Sequence, residues 1–159
     1  MGTRGCVGFY KDGKEKIGYN HFDSYPTGLG AEIILYLQDK SINQLNEIFD
    51  ETVVVENESN DVFDWSEHCI KKEFEEYSDF LANSLFCEYA YIINLDDNVL
   101  EFYTGFNQNP DGKGRYAHLI YDSFDTRYYG VVLKKTIPLK KFFDGKVVAD
   151  DKIGFKTKK

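Results

Sequence analysis

The chain has 159 residues, of which 42% are hydrophobic and 16% aromatic, and it carries a formal net charge of −8 at pH 7. This composition is typical of a folded globular protein and excludes a disordered chain. No apolar run approaches the roughly 18 residues that a membrane-spanning helix needs, so no membrane contact is predicted. The three cysteines lie far apart, which favours a reduced, cytoplasmic protein over a disulfide framework or a structural zinc site.

Charge is distributed unevenly along the chain. Residues 39–101 carry 17 acidic and 3 basic side chains, whereas residues 131–159 carry 9 basic and 3 acidic ones. The acidic middle repels phosphate, so direct nucleic-acid binding is not expected. We expect residues 1–150 to form a single domain and the basic residues 151–159 to form a flexible tail.

The N-terminal part predicts a hairpin followed by two helices. Residues 4–9 and 15–20 flank an Asp-Gly pair, which is typical of a tight β-turn. Residues 29–38 have the apolar spacing of a buried helix. Ser41 is a suitable N-cap for a second helix, whose apolar residues fall on one side.

The acidic middle predicts a longer amphipathic helix. From Asp61 onwards apolar residues recur every three or four positions, and acidic side chains occupy the positions between them. We therefore predict a helix over residues 61–83 with an exposed acidic face. Residues 52–60, directly before it, are compatible with either a short strand or a loop.

The C-terminal half changes to a period of two, which is typical of strands. Residues 88–95 and 99–106 predict a hairpin, residues 115–122 and 128–137 predict two further strands, and a single helical turn follows Pro138. The predicted fold class is α+β. It comprises a mostly antiparallel sheet of about six strands, an N-terminal hairpin plus four C-terminal strands, packed against two or three helices.

Residues 19–30 (YNHFDSYPTGLG) concentrate polar side chains and glycines immediately before the first helix. An aspartate such as Asp23 is able to orient the imidazole of His21, which would then serve as a general base. The same residue types close turns by bonding local backbone amides, so a purely structural interpretation also stays open. Gly28 and Gly30 bring flexible backbone to a helix N-terminus, where free amides favour an anion.

Cations from other segments extend this candidate site. Arg4 lies at the start of the first predicted strand, and Arg115 follows a polar loop later in the chain. Together with residues 19–30 they predict a pocket for a phosphate or carboxylate group. The candidate ligand-binding residues are Arg4, Asn20, His21, Asp23, Ser24, Tyr25, Gly28, Gly30, Asn107 and Arg115, and the candidate catalytic residues are His21 and Asp23. No metal site and no cofactor are predicted.

Several segments of the chain resemble a group of small accessory proteins of bacteriophages and prophages. The segments that carry the resemblance are GTRG at the N-terminus, the YNHFDSYPTGLG loop, LDDNVLEFYTGFN, GRYAHL and YYGVVL. The resemblance covers most of the chain in order, and the loop is its most specific part. It implies a viral protein of the host-cell cytoplasm that acts on host defences.

The opening hairpin and the Asp-Ser segment after it also resemble N-terminal-nucleophile hydrolases of the glutamine-amidotransferase type. Those enzymes need Cys, Ser or Thr as the first mature residue, so that the free amine acts as base. Removal of Met1 would expose Gly2 here, and Thr3 lies one position too late. This departure favours binding over hydrolysis.

Three functional hypotheses follow from the sequence. The first is binding of a small polar or phosphorylated ligand, such as a nucleotide signal of host defence, through residues 19–30. The second is a hydrolase that uses His21 as base and Asp23 as its orienting partner. The third is an inhibitor of a host nucleic-acid-binding or defence protein, which contacts its target through the acidic helix of residues 61–83.

Overall fold

The computed structural model describes residues 3–55, 73–75, 78–120 and 128–158. The strands are β1 (Gly5–Lys11), β2 (Lys14–Asn20), β3 (Val53–Val55), β4 (Glu73–Glu75), β5 (Tyr89–Asn94), β6 (Val99–Thr104), β7 (Val132–Pro138), β8 (Val147–Asp150) and β9 (Gly154–Thr157). The helical elements are a π-helical turn (Pro26–Gly30), α1 (Ala31–Gln38), α2 (Ile42–Glu51), a 3₁₀ turn (Ser78–Ala82) and α3 (Leu139–Phe143).

The main sheet has five strands in the order β2-β1-β5-β6-β7. The pairs β1–β2, β5–β6 and β6–β7 are antiparallel, and the central pair β1–β5 is parallel. A parallel neighbour requires a long crossover, and the chain between β2 and β5 provides one that includes α1 and α2. Two small sheets, β3–β4 and β8–β9, complete an α+β fold, which confirms the predicted fold class.

Each face of the main sheet is covered by a hydrophobic layer. We call the face under α1, α2 and α3 the helical face; its buried side chains include Val7, Phe9, Tyr91, Ile93, Leu100 and Phe102. On the second face the buried side chains include Cys6, Ile17, Ala90, Ile92 and Tyr103, packed against Leu81, Tyr116 and Val131. Alternation of successive side chains between the two faces produces these layers.

The structure confirms several elements that short sequence patterns predict. The Asp-Gly turn joins β1 to β2, with both turn residues at positive φ. Ser41 caps α2 through a complete capping box with Gln44. The predicted hairpin of residues 88–106 is present as β5 and β6, and the helical turn after Pro138 is α3.

The helix predicted over residues 61–83 is wrong where the structure describes this segment. Residues 73–75 form β4, which pairs in parallel with β3, and residues 78–82 form a 3₁₀ turn. Hydrogen bonds to β3 stabilise β4, and a helical pattern cannot reveal such a distant partner. Residues 61–72 lie outside the described residues, as does much of the acidic surface proposed for partner binding.

The strand predicted over residues 115–122 is also wrong for the part that the structure describes. Residues 115–120 form turns and irregular structure, in which Leu119 N donates to Tyr116 O. Tyr116 and Ala117 are both buried, so this segment packs on the second face rather than extending the sheet.

The C-terminus differs from the predicted flexible tail. β9 pairs with β8 over four residues, and Phe155 is 0% exposed. Its ring lies edge-on to those of Tyr91, Phe102 and Phe142 at centroid distances of 5.7 to 5.9 Å. Burial of this one aromatic side chain stabilises the hairpin against the helical face.

Candidate functional site

The predicted loop at residues 19–30 is held by its own hydrogen bonds. Asn20 Nδ2 donates to Phe22 O at 2.6 Å and to Ser24 Oγ at 2.8 Å. The hydroxyl of Tyr91 donates to Ser24 O at 2.7 Å, and Ser24 N donates to Thr3 O at 3.1 Å. Asn20 and Ser24 are buried, so these two predicted ligand-binding residues shape the loop and tie it to the sheet.

The glycines allow the loop to fold back tightly on itself. Asp23 adopts a positive φ of 54°, and its carbonyl oxygen accepts a hydrogen bond from Leu29 N at 2.8 Å. A Cβ atom at Gly28 would lie 2.2 Å from the same carbonyl oxygen. Only glycine therefore fits at position 28 without a shift of the backbone. Gly30 is buried against Phe155 and Tyr91, at the start of α1.

The anion expected at this turn is a carboxylate of the protein itself. Thr27 N and Thr27 Oγ1 each donate to the carboxylate of Asp151 at 2.9 Å. The sequence predicts an external anion at the backbone amides of this turn. The amide of Thr27 is instead hydrogen-bonded to Asp151, in the turn between β8 and β9. The loop and the C-terminal hairpin are joined at this point.

His21 and Asp23 have different partners. His21 Nδ1 lies 2.6 Å from the hydroxyl of Tyr19, and the imidazole packs edge-on against Phe22 at 4.5 Å. The charge of Asp23 and its hydrogen bond to Tyr25 raise the pKa of the Tyr25 phenol. Among the described residues, no hydrogen bond or ion pair joins His21 to Asp23.

Arg115 lies away from the loop, on the second face of the sheet. It forms a two-pronged ion pair with Glu101, and its guanidinium stacks 3.8 Å above the ring of Tyr10. Glu101 pairs across the sheet with Ile92, a side chain of the second face, whereas Tyr91 reaches the loop on the helical face. Arg115 and the loop are therefore not brought together.

The remaining predicted residues are also engaged in local contacts. Asn107 Nδ2 donates to Ala117 O at 3.2 Å and to Gly130 O at 2.9 Å, so its amide is directed into the protein. Arg4 is closer to the loop, because the next residue, Gly5, pairs with Asn20. Its guanidinium lies 5.6 Å from the centre of the Phe86 ring.

A cleft of about 500 Å³ lies on the other side of Asp151. It is located between the start of β5, the end of β6, the middle of β7 and the turn that joins β8 to β9. We call it the cationic cleft. The polar and aromatic side chains that line it are Tyr89, Phe102, Thr104, Lys134, Lys135, Asp151 and Lys152.

A β-bulge brings two consecutive lysines to this cleft. Phe102 pairs with Lys135 and Tyr103 pairs with Leu133, so Lys134 is an extra residue in β7. Neighbouring side chains of a regular strand point to opposite faces, and a bulge relaxes this alternation. The register shift therefore explains how both Lys134 and Lys135 line one cavity.

The turn between β8 and β9 forms the opposite wall. Lys152 N donates to Asp150 Oδ1 at 2.8 Å, which closes the turn. Gly154 has a positive φ of 87°, and a Cβ atom there would lie 2.5 Å from the ring of Phe102. Glycine thus lets the turn pack directly on the sheet. Lys135 Nζ donates to Phe155 O at 2.6 Å, and this hydrogen bond links β9 to β7.

The electrostatics of the cleft favour an anion. Lys134 and Lys152 are exposed, and neither ammonium group has a hydrogen bond or ion pair with any residue that the structure describes. Burial and the nearby charges of Glu88 and Asp151 raise the pKa of Tyr89, so its hydroxyl stays protonated at neutral pH. The cleft therefore offers cationic groups beside a neutral phenol.

None of the residues that line the cleft is among the candidate binding residues predicted from the sequence. The signal that pointed to them was the excess of lysines in residues 131–159, where Lys134 and Lys135 fall in a predicted strand and Lys152 falls in the predicted tail. No group of three or more His, Cys, Asp or Glu side chains in the described ranges is arranged to hold a metal ion. Within the same ranges, no helix has the length and apolar character needed to cross a membrane.

Comparisons of this chain with protein-family models, with curated proteins and with solved structures found no match.

Proposed function

We propose that this protein binds a small anionic molecule, bearing a phosphate or carboxylate group, in the cationic cleft. The observation that supports the proposal is the convergence of three lysines on one cavity, in a protein whose formal net charge is −8. Small-molecule sites have volumes of about 300–1,000 Å³ and few, well-placed polar groups. The volume of the cleft lies within this range, and its lysines supply polar groups for an anion.

Lysine side chains account for a moderate affinity. An ammonium group about 4 Å from a phosphate oxygen contributes roughly 1 kcal/mol in water and about 4 kcal/mol near a protein surface. Because Lys134 and Lys152 are exposed, their contributions fall toward the lower value, and salt screens them. We expect dissociation constants on the order of 10 μM to 1 mM at low ionic strength.

The loop of residues 19–30 supports the cleft in this proposal, because Thr27 holds Asp151 in place. Binding of a small polar or phosphorylated ligand, the first hypothesis from the sequence, is thus retained with a different set of contact residues. Action on host defences, implied by the resemblance to bacteriophage proteins, remains a prediction. The binding proposal does not depend on it.

Isothermal titration calorimetry with two probes, ribose 5-phosphate and inorganic pyrophosphate, tests the proposal. The variant K134Q/K152Q removes two positive charges from the cleft. The variant K14Q/K140Q removes two exposed lysines elsewhere and serves as the matched control. We expect at least one probe to bind, with about tenfold or greater weakening in the cleft variant and less than twofold change in the control. Equal weakening in both variants, or no binding of either probe, would refute the proposal.

A further inference from the structure

This inference rests on the proposed function and specifies the ligand class. We propose that the ligand is a nucleoside phosphate, whose phosphate lies between Lys134 and Lys152, whose base stacks on Tyr89 and whose sugar hydroxyls bond to Asp151. Three different chemical groups line the cleft, and each matches one part of such a molecule.

The aromatic part of the cleft is a fixed, flat surface. Tyr89 is half-buried, and its ring is nearly parallel to that of Phe102, with an angle of 20° and a centroid distance of 6.1 Å. Phe102 is itself covered by Gly154 and packs edge-on against Phe155. The ring of Tyr89 is therefore held by Phe102, and Tyr89 also lines the cleft. Stacking on a tyrosine is available to any nucleobase.

The carboxylate of Asp151 distinguishes this cleft from a simple phosphate site. A negative group beside the lysines weakens the binding of a compact polyanion, because like charges repel. It suits a ligand whose anionic group is separated from a hydroxylated part. Each oxygen of Asp151 accepts one hydrogen bond from Thr27, and a carboxylate has about four acceptor positions. Acceptor positions for sugar hydroxyls therefore remain.

The experiment compares AMP with ribose 5-phosphate and adenosine on the full chain, again by calorimetry. We expect AMP to bind about tenfold more tightly than ribose 5-phosphate, because only AMP has a base to stack. In the variant Y89L, AMP should bind no more tightly than ribose 5-phosphate. In the variant Y89F, the difference in affinity between AMP and ribose 5-phosphate should remain. Thermal unfolding of each variant checks that the fold is retained.

The outcomes separate the two proposals. If AMP and ribose 5-phosphate bind equally to the wild-type protein, the nucleoside inference is wrong while anion binding stands. If neither phosphate compound binds, both fail. If adenosine alone binds as tightly as AMP, the lysines are not the anion site and the proposed function fails. A fourth probe, 2′,3′-dideoxy-AMP, tests the assignment of Asp151, and affinity equal to that of AMP would overturn it.

Discussion

Replacing Phe155 by alanine tests whether the C-terminal hairpin belongs to the hydrophobic core. The side chain is 0% exposed and lies edge-on to three aromatic rings at interplanar angles of 76° to 86°. Removing a buried phenylalanine side chain costs about 3–5 kcal/mol. Edge-to-face pairs add to the energy of simple burial, so we expect F155A to lower the free energy of unfolding by about 4–5 kcal/mol.

Urea denaturation followed by far-ultraviolet circular dichroism measures this loss. T157A is the matched control, because Thr157 lies on the same strand and is exposed, and it should change stability by less than about 0.5 kcal/mol. The loss of stability in F155L should lie between the losses in F155A and T157A, since leucine fills part of the space that the phenylalanine ring occupies. A loss below about 1 kcal/mol for F155A would refute the reasoning, because a peripheral tail would produce such a value.

Two further variants test the loop and its link to the cleft. G28A should destabilise the protein by about 1–3 kcal/mol in the same urea assay, because the new Cβ atom would lie 2.2 Å from a backbone carbonyl oxygen. A change near zero would show that the loop relaxes freely. T27V removes the hydroxyl that bonds to Asp151 and should cost about 1 kcal/mol of stability. It should also weaken binding of AMP in the cleft by about twofold to fivefold, and unchanged affinity would show that the loop and the cleft are independent.

The loop of residues 19–30 illustrates what a sequence can indicate about a site. Its residue types pointed both to turn chemistry and to an anion at the backbone amides. The structure shows the turn chemistry, since Asn20 donates to Ser24, and the group bonded to the amide of Thr27 is a carboxylate of the protein itself rather than a ligand. The identity of that carboxylate was not predictable, because Asp151 lies 124 positions further along the chain.

Elements that depend on neighbouring residues were determined by the sequence itself. The Asp-Gly turn of the first hairpin, the cap of α2 at Ser41 and the alternation of β5 and β6 each result from backbone preferences within a few residues. The overall α+β class followed from the order of these elements. Local hydrogen bonding and side-chain periodicity were sufficient in each case.

Only the tertiary structure decided the features that join distant segments. β1 pairs in parallel with β5, β4 is a strand because β3 lies beside it, and Phe155 enters a core built by other elements. The cationic cleft likewise combines residues of β5, β6, β7 and the final turn. Long-range hydrogen bonds and aromatic burial outweigh weak local preferences there, so a pattern within one segment cannot predict which distant segment it will contact.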